Sequence, residues 1–244
     1  MTSKYFLTFI ASLIMLVSNA QQFSLEDSIT WGNVTKNQVD DIIQKAEMGH
    51  STYQYYLGRC YFNGLQMDKD KYKAVEYYGK AADKDQTGAL YYLGYCYKYG
   101  MGVVKNESRA EQLFGKAVKW LEAEIEEDPY ASYYLAMCYN YGFGVDVDYA
   151  KSKQYYEKSA LMGNTQALVN MALDYQQGNN VAKDYAKALE LFIIAAEAGN
   201  PQAQLSLGYC YLDGEGVPKN VEKANEWFRK AAAQGLPAAI KALR

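Results

Sequence analysis

The chain has 244 residues, half of them apolar and 22% charged, a composition that excludes a disordered polymer. A formal charge of -3 supplies no basic field to hold nucleic acid or an anionic membrane. Its 25 tyrosines against 8 phenylalanines and 3 tryptophans are unusual; tyrosine joins a large apolar body to a polar tip suited to contact surfaces, although any single buried tyrosine is more often plain core.

Residues 1–20 read as a signal peptide. Lys4 is their only charge, Tyr5 to Val17 is apolar, and Ser18-Asn19-Ala20 offers the small residues a signal peptidase needs, which places the mature start at Gln21. The apolar run is short for a bilayer and no second run of membrane length follows it. A secreted or periplasmic protein without a transmembrane segment is therefore expected. Residues 21–34 carry no clear period and are expected to be a flexible lead. Residues 35–47, with Thr35 and Gln38 spaced as a capping box, predict a lone capping helix.

Five repeats follow. Leu57, Leu93, Leu135, Met171 and Leu207 recur at intervals of 36, 42, 36 and 36 residues, each with a glycine seven residues on (Gly64, Gly100, Gly142, Gly178, Gly214). An aromatic stands fourteen residues past each glycine: Tyr78, Phe114, Tyr156, Phe192 and Phe228. Four apart, Ala89, Leu93 and Tyr97 give one apolar face to a first helix, helix A, which Gly100 ends. Gly94 beside Leu93 predicts close approach of a neighbouring helix. Asp70, Asn106, Asp148, Asp184 and Asn220 are placed to cap a second helix, helix B, whose face in the second repeat is Ala110, Leu113, Phe114, Ala117 and Val118. The expected fold is all-α: an α-α superhelix, or solenoid, of helix-turn-helix units at about 49–82, 85–118, 128–160, 163–196 and 199–232 within residues 35–244. Ala239 and Leu243 keep the register and predict a final capping helix over 236–244.

Between the second and third repeats six extra residues predict a prolonged helix B, then Asp128 as N-cap and Pro129 as the first helical residue. The run Glu122, Glu124, Glu126, Glu127 and Asp128 would ordinarily be a solvated face; a basic partner or a divalent ion is the alternative.

Stretches such as Ala203 to Val217, with Leu207, Gly208, Gly214 and Gly216, followed by Lys223-Ala224, Trp227-Phe228 and Ala231-Ala232, resemble the Sel1-like repeats, a family related to tetratricopeptide repeats. The resemblance covers about residues 46–244; Gln66 and Asn180 depart from it by replacing the second glycine, and Tyr53 replaces an alanine. It implies a binding scaffold. Some exported, cysteine-rich relatives are described as β-lactam-binding or β-lactam-hydrolysing proteins, but their repeats carry paired cysteines, whereas Cys60, Cys96, Cys138 and Cys210 stand one to a repeat. A weak hydrolase is thus supported by family analogy alone.

Equivalent cysteines of stacked hairpins fall about 8–10 Å apart, beyond the roughly 7 Å a disulfide tolerates, so four free, buried thiols are expected. The lone histidine, His50, reads as a loop residue, and the acidic residues show no pair placed for acid–base work. The Gly-x-Gly pairs follow a helix rather than a strand and read as turns, not a phosphate cradle. No cofactor or metal is expected, and the chain is not expected to be an enzyme.

By analogy with tetratricopeptide geometry, helices A line a groove. Its expected residues are Tyr55, Arg59 and Phe62; Tyr91, Tyr95, Lys98 and Tyr99; Tyr133 and Tyr141; and Tyr209. Tyrosine anchors beside amide side chains suit a protein or peptide partner, which makes the chain an exported adaptor or scaffold. Stacking of the same rings on sugars makes a carbohydrate-binding module the alternative.

Overall fold

The computed structural model describes residues 3–17, 25–126 and 128–243 and is all-helical there. Before the repeats come α1 (Ser3–Val17), α2 (Leu25–Trp31) and α3 (Lys36–Glu47). The repeats are the helix pairs α4 (Ser51–Asn63) with α5 (Lys71–Ala82), α6 (Thr87–Tyr99) with α7 (Glu107–Glu124), α8 (Pro129–Tyr141) with α9 (Tyr149–Leu161), α10 (Thr165–Gln177) with α11 (Tyr185–Glu197), and α12 (Pro201–Asp213) with α13 (Val221–Ala233). α14 (Pro237–Ala242) closes the chain. Described residues within 23–152 form one compact body, and those within 153–244, together with 1–22, form another.

Each helix B starts on a side-chain cap. Asp70 accepts from the amides of Tyr72 and Lys73, Asn106 from Arg109, Asp148 from Ala150 and Lys151, Asp184 from Lys187, and Asn220 from Lys223. Such a cap stabilises by about 1 kcal/mol. The backbone amide of each capping residue also donates to a tyrosine carbonyl on the preceding helix A: Tyr61, Tyr97, Tyr139, Tyr175 and Tyr211, at 2.8–2.9 Å. A lysine one turn into helix B then lies over the ring of that same tyrosine in four repeats, Lys73 on Tyr61, Lys151 on Tyr139, Lys187 on Tyr175 and Lys223 on Tyr211, at 4.9–5.5 Å. Four of the five hairpins are closed by this cation–ring contact, worth about 0.5–1 kcal/mol at an exposed site.

Within the first body, α3 packs on α4, α4 on α5, α5 on α6, α6 on α7 and α7 on α8. Sandwiched on both sides, helix A of the second repeat buries Ala89, Leu90, Tyr91, Leu93, Gly94 and Cys96. Gly94 lies under Phe114 of α7: a Cβ there would stand 2.9 Å from the ring. α7 is the prolonged helix, Asp128 accepts from the Tyr130 amide at 2.8 Å, and Pro129 opens α8. Thr35 and Gln38 form a reciprocal capping box on α3. All four cysteines are free and buried; burial raises the thiol of Cys60 to about 11 and those of Cys96 and Cys210 to about 12.

The second body stacks α10 on α11, α11 on α12, α12 on α13 and α13 on α14, and there Ala239 is buried while Leu243 is exposed. Here α1 packs on α11, with Lys187 over the ring of Phe6 at 5.7 Å; Phe6, Phe9 and Leu13 are buried, and Phe6 is edge-on to Tyr175 of α10 at 6.1 Å. Cleavage after Ala20 falls outside the described residues. No described helix is long and apolar enough to cross a membrane.

One expectation fails. Residues 21–34 do not lack structure throughout, since Leu25–Trp31 is helical and its Ile29 is buried with Val34, Val39, Ile42, Ala46, Leu57 and Cys60. Seven residues make too short a helix to announce itself by period; burial of Ile29, worth about 1.5–3 kcal/mol, holds it in place.

Candidate functional face

Helices α4, α6 and α8 present tyrosines in two groups. The first is buried. Tyr55 and Arg59 on α4, Tyr91 on α6 and Tyr133 on α8 are 3%, 4%, 2% and 9% exposed, so they do not line an open groove as the sequence suggested. Two physical causes account for this. Rings of successive helices A pack on one another, Tyr91 against Tyr134 at 5.0 Å and Tyr55 against Tyr92 at 6.0 Å, which takes Tyr91 into the core. Tyr55 and Arg59 are covered by α2, and Tyr133 packs edge-on to Tyr134 at 5.3 Å.

Contacts between α2 and this face converge on one carboxylate. Oε1 of Glu26 accepts from the Tyr55 hydroxyl at 2.9 Å, from Arg59 Nη1 at 3.0 Å and from the Tyr134 hydroxyl at 3.3 Å. The Tyr130 hydroxyl donates to Asp27 at 2.6 Å, and Arg59 Nη2 reaches Thr30 Oγ1 at 3.4 Å. The Arg59 guanidinium also lies over the ring of Tyr92 at 4.5 Å. Burial pushes the Glu26 carboxyl above its usual range although Arg59, Tyr55 and Tyr134 all pull it down. Desolvation therefore outweighs a close cation and two hydroxyl donors. Burial likewise raises the hydroxyls of Tyr55, Tyr130 and Tyr134, keeping them protonated donors.

Beside Glu26 lies a cavity of about 450 Å³, walled by Tyr55, Tyr56, Tyr130 and Tyr134 and by Glu124 and Asp128 of the inserted segment. The acidic run is thus only partly a solvated face. Glu122 and Glu126 are exposed, Glu124 accepts from the Thr87 hydroxyl at 3.1 Å, and burial raises the carboxyls of Glu124 and Asp128; Glu127 lies outside the described residues. Among the described residues, no group of three or more His, Cys, Asp or Glu is placed to hold a metal ion.

The second group is open. Tyr99 and Tyr141 are 49% and 56% exposed, Phe62, Tyr95 and Lys98 are half-buried, and the rings of Tyr95 and Tyr99 meet at 4.6 Å. Lys98 stands over Phe143 at 5.3 Å, and Tyr141 stacks on the other side of this patch against Phe143 at 5.6 Å. In the second body Tyr209 is 41% exposed and edge-on to Phe228 at 5.1 Å.

Sequence reasoning missed Glu26, Asp27 and Tyr134, which complete the buried group. A signal was available. Arg59 was the one cation expected in the first repeat's groove, and such a charge needs a counter-charge wherever it becomes buried.

The family model of the Sel1 repeat matches residues 51–86, 87–122, 129–164, 165–200 and 201–236. The crystal structure of a Sel1 repeat protein from Oxalobacter formigenes is similar at 28% identity and a TM-score of 0.54, over 86% of this chain and 78% of its own. A protective antigen present in uropathogenic Escherichia coli strains and displaying an SLR fold matches at 26% identity and a TM-score of 0.50, over 84% of this chain and 50% of its own. This chain therefore spans half the length of that antigen. A Sel1 repeat protein from Klebsiella pneumoniae, 21% identical with a TM-score of 0.54 over 84% of this chain and 97% of its own, shares the fold. No curated protein matches the sequence.

Proposed function

Because this chain belongs to the Sel1 repeat family, whose repeats generally serve as protein-interaction scaffolds, we propose that it is an exported adaptor that binds a protein or peptide on the face of α4, α6 and α8. The observation that carries this reading is the open cluster of Tyr95, Lys98, Tyr99 and Tyr141: rigid aromatic anchors with a cation among them, at the solvent-facing end of a helix layer. Export is supported by the leader-like residues 1–20. Binding rather than catalysis is supported by the work the polar residues already do, since the repeated Asp and Asn residues cap helices and the thiols are buried core.

A photo-crosslinking residue placed at Tyr99, and separately at the 78% exposed Tyr72 of α5, tests this in the native host. A discrete protein adduct is expected from position 99 and not from position 72, on a chain whose mass lacks residues 1–20. Equal labelling from both positions, or an adduct from 72 alone, refutes the face; a chain retaining Met1 refutes export by cleavage.

A further inference from the structure

The buried half of the face already holds an occupant, and its chemistry is on view. Leu25–Trp31 is a short helix whose Glu26 enters a ring of donors drawn from α4 and α8, while Ile29, three residues on, enters the apolar cluster beside them. We infer that Arg59, Tyr55 and Tyr134 form a receptor for a carboxylate carried on a helical segment of a partner protein, and that Leu25–Trp31 occupies it in cis until displaced. This rests on reading the helix-A face as a protein-binding surface.

Three observations support it. First, the cis fit is incomplete. The guanidinium gives Glu26 a single nitrogen, Nη1, while Nη2 reaches only Thr30 Oγ1 at 3.4 Å, whereas a carboxylate meeting arginine end-on takes parallel bonds from both Nη1 and Nη2. Arg59 is 4% exposed, so the weakly met Nη2 is a cost that an acid seated across both terminal nitrogens would remove. Second, the resident is costly to keep. Burial raises its carboxyl in spite of Arg59, Tyr55 and Tyr134, so desolvation works against the ion pair that holds the segment. Third, the site is reachable, because the 450 Å³ cavity opens directly beside Glu26.

The same cavity narrows the partner. On its wall Glu124, Asp128 and Asp85 outnumber the one cation, Lys84, whose ammonium donates to the Gly49 carbonyl, and they disfavour a second carboxylate on that side. The fitting segment therefore carries one acid for Arg59, an aliphatic residue three positions later for the place of Ile29, and neutral or basic residues where it passes the cavity.

The test uses the full chain carrying Glu26→Gln, which removes the resident charge but keeps a side chain able to accept a hydrogen bond, with its fold checked by circular dichroism. A fluorescent peptide of residues 21–33, with Glu26 present or replaced by Gln, is titrated by anisotropy. The Glu peptide is expected to bind the Glu26→Gln chain about tenfold or more tighter than the Gln peptide does, and an added Arg59→Gln is expected to erase that difference. Equal affinity of the two peptides, or no binding of either, overturns the inference. Dimerisation of the Glu26→Gln chain with no peptide preference assigns the site to a second copy and overturns the partner assignment. Should Glu26→Gln not fold, hydrogen exchange of residues 25–31 in the wild-type chain decides the matter. Faster exchange with excess Glu peptide supports displacement, and unchanged exchange overturns it. Crosslinking at Tyr99 reads the open half of the face separately, so the broader proposal and this one fail by different results.

Discussion

Gly94 and Gly115 occupy neighbouring helices of one hairpin and should respond to a new side chain with opposite signs. A Cβ on Gly94 would stand 2.9 Å, 3.0 Å and 3.2 Å from three atoms of the Phe114 ring. The ring is 0% exposed and cannot retreat, being stacked on Phe143 at 4.5 Å and 7° and edge-on to Tyr91 at 5.8 Å. Gly94→Val therefore overpacks the site, at a cost of about 1–3 kcal/mol. For a body of this size that corresponds to a fall of about 4–12 °C in the thermal midpoint. Gly115 lies on the exposed side of α7, where a Cβ would meet nothing within 4 Å. Gly115→Ala should gain about 0.5–1 kcal/mol by restricting the unfolded chain and favouring the helix. Thermal unfolding of the full chain followed at 222 nm measures both. A Gly94→Val midpoint equal to wild type, or a Gly115→Ala midpoint lowered as far as that of Gly94→Val, would refute the close-packing account of these hairpins.

Asp174 holds the helix-A position that is cysteine in the other four repeats, and burial alone raises its carboxyl to about 6. The folded chain thus binds this proton more tightly than the unfolded one, so the associated stability is complete below about pH 4 and lost as pH rises through about 6. Asp174→Cys should remove that loss and be more stable than wild type at pH 7.5 by about 1 kcal/mol, discounted for partial exposure; an advantage that does not shrink between pH 7.5 and pH 4.5 in urea titrations would contradict it. Cys60, Cys96 and Cys210, with thiols raised to between about 11 and 12, should resist a thiol reagent at pH 8 in the native chain, and four thiols should titrate once it is unfolded without reductant. Two or fewer in the unfolded chain would mean disulfides.

What could be read from the sequence was what nearest neighbours decide. The capping residues Asp70, Asn106, Asp148, Asp184 and Asn220 act on amides two or three residues away, and Gly94 faces an aromatic twenty residues along the same hairpin, so their roles follow from spacing. Which tyrosines remain open is decided at longer range. Tyr91 is buried by Tyr134, and Tyr55 and Arg59 by Glu26, from segments 43, 29 and 33 residues distant. A register argument places all of these in the groove together with the exposed Tyr209. The Lys–Tyr contact that closes four hairpins went unread, although its signal was there: a tyrosine four residues after Leu57, Leu135, Met171 and Leu207 and a lysine twelve residues beyond it.

The first repeat departs from its copies in a way that packing does not explain. Three of the other four repeats fill the helix-B aromatic position with Phe114, Phe192 and Phe228, and Tyr156 in the remaining one has its hydroxyl met by the Asn170 amide at 3.2 Å. Tyr78 is equally buried, yet its hydroxyl has no hydrogen-bond partner among the described residues. It stacks on Tyr92 at 5.6 Å, and Arg59, whose Nε is likewise unmet, lies over the same Tyr92 ring. Each orphaned buried group costs about 1–3 kcal/mol, and phenylalanine at position 78 would avoid one of them at almost constant volume. Two such costs meet at one ring, and Tyr78→Phe should therefore raise the thermal midpoint without disturbing the contacts that Arg59 makes to Glu26; a midpoint equal to or below wild type would contradict this.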